Sequence, residues 1–159
     1  MASETSRTAI GVMVIAAFAS LRCSADGDAA GSSQGGSGGG STVATELNGC
    51  TAANAEDRLA ASADRSIAIA ASGLSFSPKC ISIEAGQSVT FNGSLSSHPL
   101  APGTPNDPSA GSPDNPIAKT SSGQSVAFSF PVAGAFPYFC QLHGFGSGQG
   151  MVGAVYVLP

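Results

Sequence analysis

Residues 135–159 read AFPYFCQLHGFGSGQGMVGAVYVLP. Two runs rich in aromatic and aliphatic residues, 135–141 and 151–159, enclose a stretch that is mostly glycine. Both runs are short and are bounded by glycine and proline, which reads as strand, loop, strand rather than as a helix. Just where the first strand gives way to the loop, a chain with only two histidines places one of them, His143, after a cysteine, Cys140.

The same rhythm runs upstream. RSIAIAAS (65–72) sets Ile67 and Ile69 on one face, and KCISIEAG (79–86) sets Ile81 and Ile83 opposite Cys80, Ser82 and Glu84. QSVTFNG (87–93) alternates Val89 and Phe91 with polar neighbours, and QSVAFSFPVAGAF (124–136) does the same with Val126, Phe128 and Phe130. Alternation over short runs, punctuated by turns such as EAGQ and VAGA, predicts half-buried strands and an all-β sandwich. Two segments fall outside the pattern. TAANAEDRLAASADR (51–65) is alanine-rich and predicts a weakly amphipathic helix. Residues 98–123 hold six prolines and show no strand pattern before IAKT (117–120). Proline pins φ and cannot donate to a ladder, so this is a stiff ordered connection or a long surface loop.

The N-terminus reads as a targeting segment. Arg7 precedes the apolar run IGVMVIAAFASL (10–21), which is shorter than the ~20 residues a membrane span needs and fits the core of a secretory signal peptide. Residues 1–22 are read as signal, 23–45 as a flexible Gly/Ser linker, and 46–159 as the folded domain. Cys23, at the end of the apolar run, resembles the processing site of a bacterial lipoprotein, with Arg22 where a small residue is usual. A lipid on Cys23 would tether the domain to a membrane; plain signal cleavage would release it. Either outcome puts the domain outside the cytoplasm, in the periplasm or at the cell surface of a bacterium.

Net charge is −4 over 159 residues, and only 10% of residues are charged. No basic stripe is present, which argues against nucleic acid as a partner. From Ala85 onward the charged side chains are Asp107, Asp114 and Lys119, so no strong local field steers a partner to the C-terminal half. In an exported chain Cys50 and Cys80 are expected to form a disulfide. That leaves Cys140 unpaired, a reactive liability unless it is buried and inert or something occupies it.

Cys140 and His143 are spaced so that a thiolate and an imidazole converge on one point. His98, at the head of the proline-rich segment, is the other histidine, and a sandwich would bring both loop starts to one end. Met151 opens the last strand. Two imidazoles, a thiolate and a weakly bound thioether are the ligand set of a type 1 (blue) copper site. Soft sulfur favours Cu(I), and imidazole suits both oxidation states.

Taken together, SHPLAPG, YFCQLHG and GMVGAVYV resemble the cupredoxins, most nearly the plastocyanin-like branch, over about Ile67 to Leu158. The resemblance implies a Greek-key β-sandwich with one type 1 copper ion held by His98, Cys140, His143 and Met151. It also implies an electron port at His143 in an apolar patch made with Leu142, Phe145, Pro99 and Leu100. The expected function is a monomeric electron carrier between a redox protein donor and acceptor, without substrate turnover. The sequence departs from the family pattern in three places. Seven residues separate His143 from Met151, more than in plastocyanin; Pro99 replaces a common asparagine that ties the ligand loops; and the Cys50–Cys80 pair is additional.

Other chemistries need more than these residues supply. Cys140 with a histidine would make a nucleophile and base only with an orienting group and an oxyanion hole. Zinc would want a fourth Cys, His or carboxylate, and no acid lies near the motif. The glycine run lacks both the spacing and the following helix of a phosphate cradle. A copper carrier or storage protein that passes no electrons uses the same four residues, and the sequence alone leaves it open.

Overall fold

The computed structural model describes residues 46–159 apart from Ala71 and Ser147. The signal and linker readings, including Cys23, therefore lie outside the described residues. Among the described residues nine strands form two sheets: β1 (Glu56–Asp57), β2 (Ser66–Ala70), β3 (Ser75–Ser77), β4 (Cys80–Glu84), β5 (Ser88–Asn92), β6 (Leu100–Pro102), β7 (Ser125–Ser129), β8 (Gly134–Phe145) and β9 (Gln149–Leu158). One sheet runs β1-β4-β9-β8-β6 and the other β3-β2-β5-β7. Parallel pairs, β4 with β9 and β2 with β5, sit among antiparallel ones. The expected all-β Greek-key sandwich is the fold.

Alternation is what builds the core between the sheets. Ile67, Phe76, Val89 and Phe91 from one sheet meet Ile81, Ile83, Phe136, Tyr138, Val155 and Val157 from the other in a single buried cluster. Phe91 and Phe76 both stand edge-on to the Tyr138 ring, with centroids 4.9 and 5.0 Å away, a geometry in which ring edges meet ring faces favourably. β7 carries the thinnest half of the pattern, since Val126 and Phe128 are only partly buried at the sheet's edge.

Two expectations are corrected. Residues 51–65 form no helix; among the described residues there is none. Thr51 and Asn54 close a turn by reciprocal backbone–side-chain hydrogen bonds, 2.8 and 3.2 Å. Glu56–Asp57 then pairs parallel to β4, with Arg58 N–H donating to the Ser82 carbonyl at 2.8 Å. Further on, the Arg65 guanidinium donates to the Leu59 and Ala63 carbonyls, at 3.4 and 3.3 Å, and closes a loop. With no apolar stripe to bury, helix propensity loses to these tertiary contacts. Leu47, Cys50, Ala52 and Ala55 instead cover the outer face of the five-stranded sheet at Ala154 and Tyr156. For that reason β9 is buried on both faces from Met151 to Val157 rather than half-buried.

The second correction concerns the proline-rich segment, which contains a strand. Leu100–Pro102 pairs with β8, and Leu100 and Thr120 exchange hydrogen bonds of 2.9 and 3.0 Å. Proline is tolerated because β6 is the edge strand of its sheet. The rest of the segment is an ordered connection, held by Asn115 Nδ2 to the Pro137 carbonyl (2.9 Å) and by Ser112 N–H to the Ala135 carbonyl (2.8 Å).

The expected disulfide joins Cys50 to Cys80, with Cα atoms 5.7 Å apart across a sequence separation of 30. It ties the 47–55 cover to β4. Replacing both cysteines by alanine should lower the unfolding free energy by about 3–4 kcal/mol on the loop-entropy estimate, read as a drop in the urea midpoint. An unchanged midpoint would show that the cover holds without its staple.

Candidate metal centre

β6 and β8 bring the two halves of the site together. Leu100 stands opposite Cys140 in their antiparallel pairing, and Gln141 N–H donates to the Pro99 carbonyl at 2.8 Å. Pro99, with no N–H to give, thus ties the two segments through its carbonyl. His98 precedes this pairing and is turned by a hydrogen bond from its own N–H to the Ser94 carbonyl, 3.0 Å.

β8 and β9 then lose register. Their pairing holds as far as Phe139 against Val152 and resumes at Gly144 against Gly150. Cys140, Gln141, Leu142 and His143 therefore bulge out opposite one residue, Met151. Gly150 makes this possible. It has φ near 74°, which an L side chain rarely adopts, and a Cβ there would collide with the His143 carbonyl.

The ligand atoms of His98, Cys140 and His143 all lie within 4.8 Å of one another. The Nδ1 atoms of His98 and His143 are 3.2 Å apart, and Cys140 Sγ lies 3.5 Å from His143 Nδ1. Metal–imidazole bonds of ~2.0–2.1 Å and metal–thiolate bonds of ~2.3 Å, taking zinc's values, add up to more than either separation, so one ion can bond His143 together with either neighbour. Among the described residues no carboxylate joins the cluster. Cys140 and Met151 are fully buried, His98 is buried, and His143 is partly exposed. Burial, and then the charge His143 would carry, hold the His98 imidazole below its ordinary pKa, which keeps it neutral with a lone pair to offer. Tyr138, two residues before Cys140, is buried, its phenol pushed up by burial and donating to the Lys79 carbonyl at 2.9 Å.

Of the four sequence-predicted residues, His98, Cys140 and His143 converge, and Met151 is a fully buried residue opposite the 140–143 bulge. The apolar patch is smaller than expected. Leu142 and Phe145 are 61% and 60% exposed and Pro99 is partly exposed, but Leu100 is wholly buried against the core. Its place opposite Cys140 turns it inward. The sequence reading also missed Asn48, which is 6% exposed and hydrogen-bonded to the strands behind the site. Its only sequence mark is the turn dipeptide Asn48–Gly49.

The family model described as copper binding proteins, plastocyanin/azurin family, matches residues 63–158, more than half of the chain. The chain belongs to that family, the cupredoxins, and its cofactor is copper. No curated protein matches it. Among solved structures it is similar to a Cu-containing nitrite reductase from Thermus scotoductus (21% identity, TM-score 0.42), over 59% of this chain and 22% of that one. Native pseudoazurin from Hyphomicrobium denitrificans shares 23% identity (TM-score 0.40) over 58% of this chain and 73% of that chain. Amicyanin from Paracoccus versutus shares 18% (TM-score 0.39) over 74% and 94%.

Proposed function

We propose that this protein carries single electrons between redox proteins outside the cytoplasm, with His98, Cys140, His143 and Met151 holding one type 1 copper ion. The observation that supports the ligand set is the convergence of two imidazole nitrogens and a thiol sulfur, with no acid among them, facing a buried thioether position. A copper ion held there would supply a one-electron couple. Cys140 gives the soft thiolate and, fully buried, keeps water from it. His98 stays neutral in its buried position. His143 is the ligand that reaches the surface, and Leu142 and Phe145 beside it offer apolar contact without charge, suited to brief encounters. Nothing in this arrangement calls for a substrate, and the chain works as a monomeric carrier without turnover.

Adding Cu(II) to the purified protein should produce an intense blue thiolate-to-copper band, absent in Cys140→Ser. A wild-type protein that stays colourless and metal-free would remove this reading. The copper carrier or storage alternative predicts slow self-exchange and ready transfer of the metal to an acceptor. A shuttle predicts a reversible one-electron wave with fast self-exchange, and electrochemistry with NMR line broadening separates the two.

The N-terminal assignments complete the proposal. Residues 1–22 export the chain, and 23–45 link a lipid anchor on Cys23 to the domain at 46–159. Cys23→Ser should release the protein from the membrane fraction; unchanged association would argue against lipid at that position.

A further inference from the structure

A glycine-rich connection of this length between His143 and Met151 would leave the start of β9 loosely placed if nothing held it. It is held from outside the ligand set. Gly146 lies against Asn106, and a Cβ there would run into the Asn106 amide. Gly148, at φ near 75°, lies against the backbone of Asn48 and Gly49, where a Cβ would come within 2.8 Å of both. Lys79 Nζ donates to the Gly148 carbonyl at 3.1 Å.

Asn48 does more than touch the loop. Its side-chain amide donates to the carbonyls of Tyr138 (2.9 Å), Gly153 (3.0 Å) and Gly103 (3.3 Å). Tyr138 and Gly153 are a cross-strand pair of β8 and β9, and the next pair, Phe139 with Val152, is the last before register is lost. One buried amide therefore ties the ladder at its broken end, while the backbone of the same residue supports the loop that spans the break. The 47–50 turn itself is fixed by mutual hydrogen bonds of Leu47 and Cys50, 2.9 and 2.8 Å, and by the disulfide to Cys80, next to Lys79.

We propose that Asn48 is a positioning residue of the copper centre, setting how far Met151 stands from the other three ligands, with Lys79 as a second hold on the loop. The inference rests on the copper reading above. Asn48 touches none of the four ligands and acts through backbone. Cys140 is placed by its pairing with Leu100, and His98 lies two residues before that strand, but Met151 is placed by where β9 begins. A weak axial ligand tunes the potential of such a site, so a shift in β9 is legible in the copper spectrum.

The test compares the copper-loaded wild-type protein with Asn48→Ala, Lys79→Met and, as a destabilised control, Ile83→Val, which pairs with Val157 at the far end of β9. Asn48→Ala should change the intensity ratio of the two thiolate-to-copper bands and move the midpoint potential. Lys79→Met should move both in the same direction by less, and Ile83→Val should move neither. In the metal-free proteins, amide exchange along the ladder-paired start of β9, from Gln149 to Gly153, should rise about tenfold in the first two variants, the factor for ~1.4 kcal/mol of lost protection, and stay unchanged in the control. If Asn48→Ala does not fold, Lys79→Met, at a partly exposed side chain, decides by the same criteria. Wild-type spectra, potentials and exchange in both variants, whatever their unfolding midpoints, would overturn the assignment, as would equal shifts in Ile83→Val. A wild type that takes up no copper would sink the functional reading alone, and the exchange rates would then judge the hold on the loop.

Discussion

The mismatch between β8 and β9 is the constraint on which the metal end depends. Two strands paired from Gly134 against Val157 to Phe139 against Val152 would ordinarily continue to a tight hairpin. Here four residues stand against one, and the excess is the ligand segment. A bulge of that size leaves backbone groups without ladder partners and turns side chains out of the two-residue alternation. The first consequence is offset just before β6, where the Pro99 carbonyl takes the Gln141 N–H. The second is the use made of the bulge, since it lets Cys140 face inward with Leu100 while His143, three residues on, reaches the surface.

Around that break the protein divides its labour between rigid and adaptable parts. The aromatic packing of Phe76, Phe91 and Tyr138 lies behind the site and fixes the sheets that carry the ligands. Glycines in the connection to Met151 let other backbone approach closely, so a run that looks loose in composition is closely covered in space. The N-terminal cover over Ala154 and Tyr156 makes β9 an interior strand on both faces. A strand buried on both sides gives Met151 a firm base.

Among the described residues no carboxylate joins the thiol and the two imidazoles, and burial holds the His98 imidazole below its ordinary pKa. Solubility rests on glycine, serine and other uncharged polar groups across the domain.

The sequence by itself determined the two-residue alternation, and through it the strands and the sandwich, because a half-buried sheet imprints its period on the chain one residue at a time. It also determined the four ligand types, because cysteine, histidine and methionine at strand ends are chemically specific and few in number here. Only the tertiary structure decided the fate of residues 51–65, where local propensity favoured a helix and the disulfide, the Thr51–Asn54 turn and the Arg65 clamp selected a cover instead. The same holds for the β6 strand inside a proline-rich run, for the inward turn of Leu100, and for Asn48. Each of these depends on partners far away in the chain, Cys140, Thr120, Tyr138 and Gly153 among them, and a pairing over such separations leaves no periodic mark on the residues that make it.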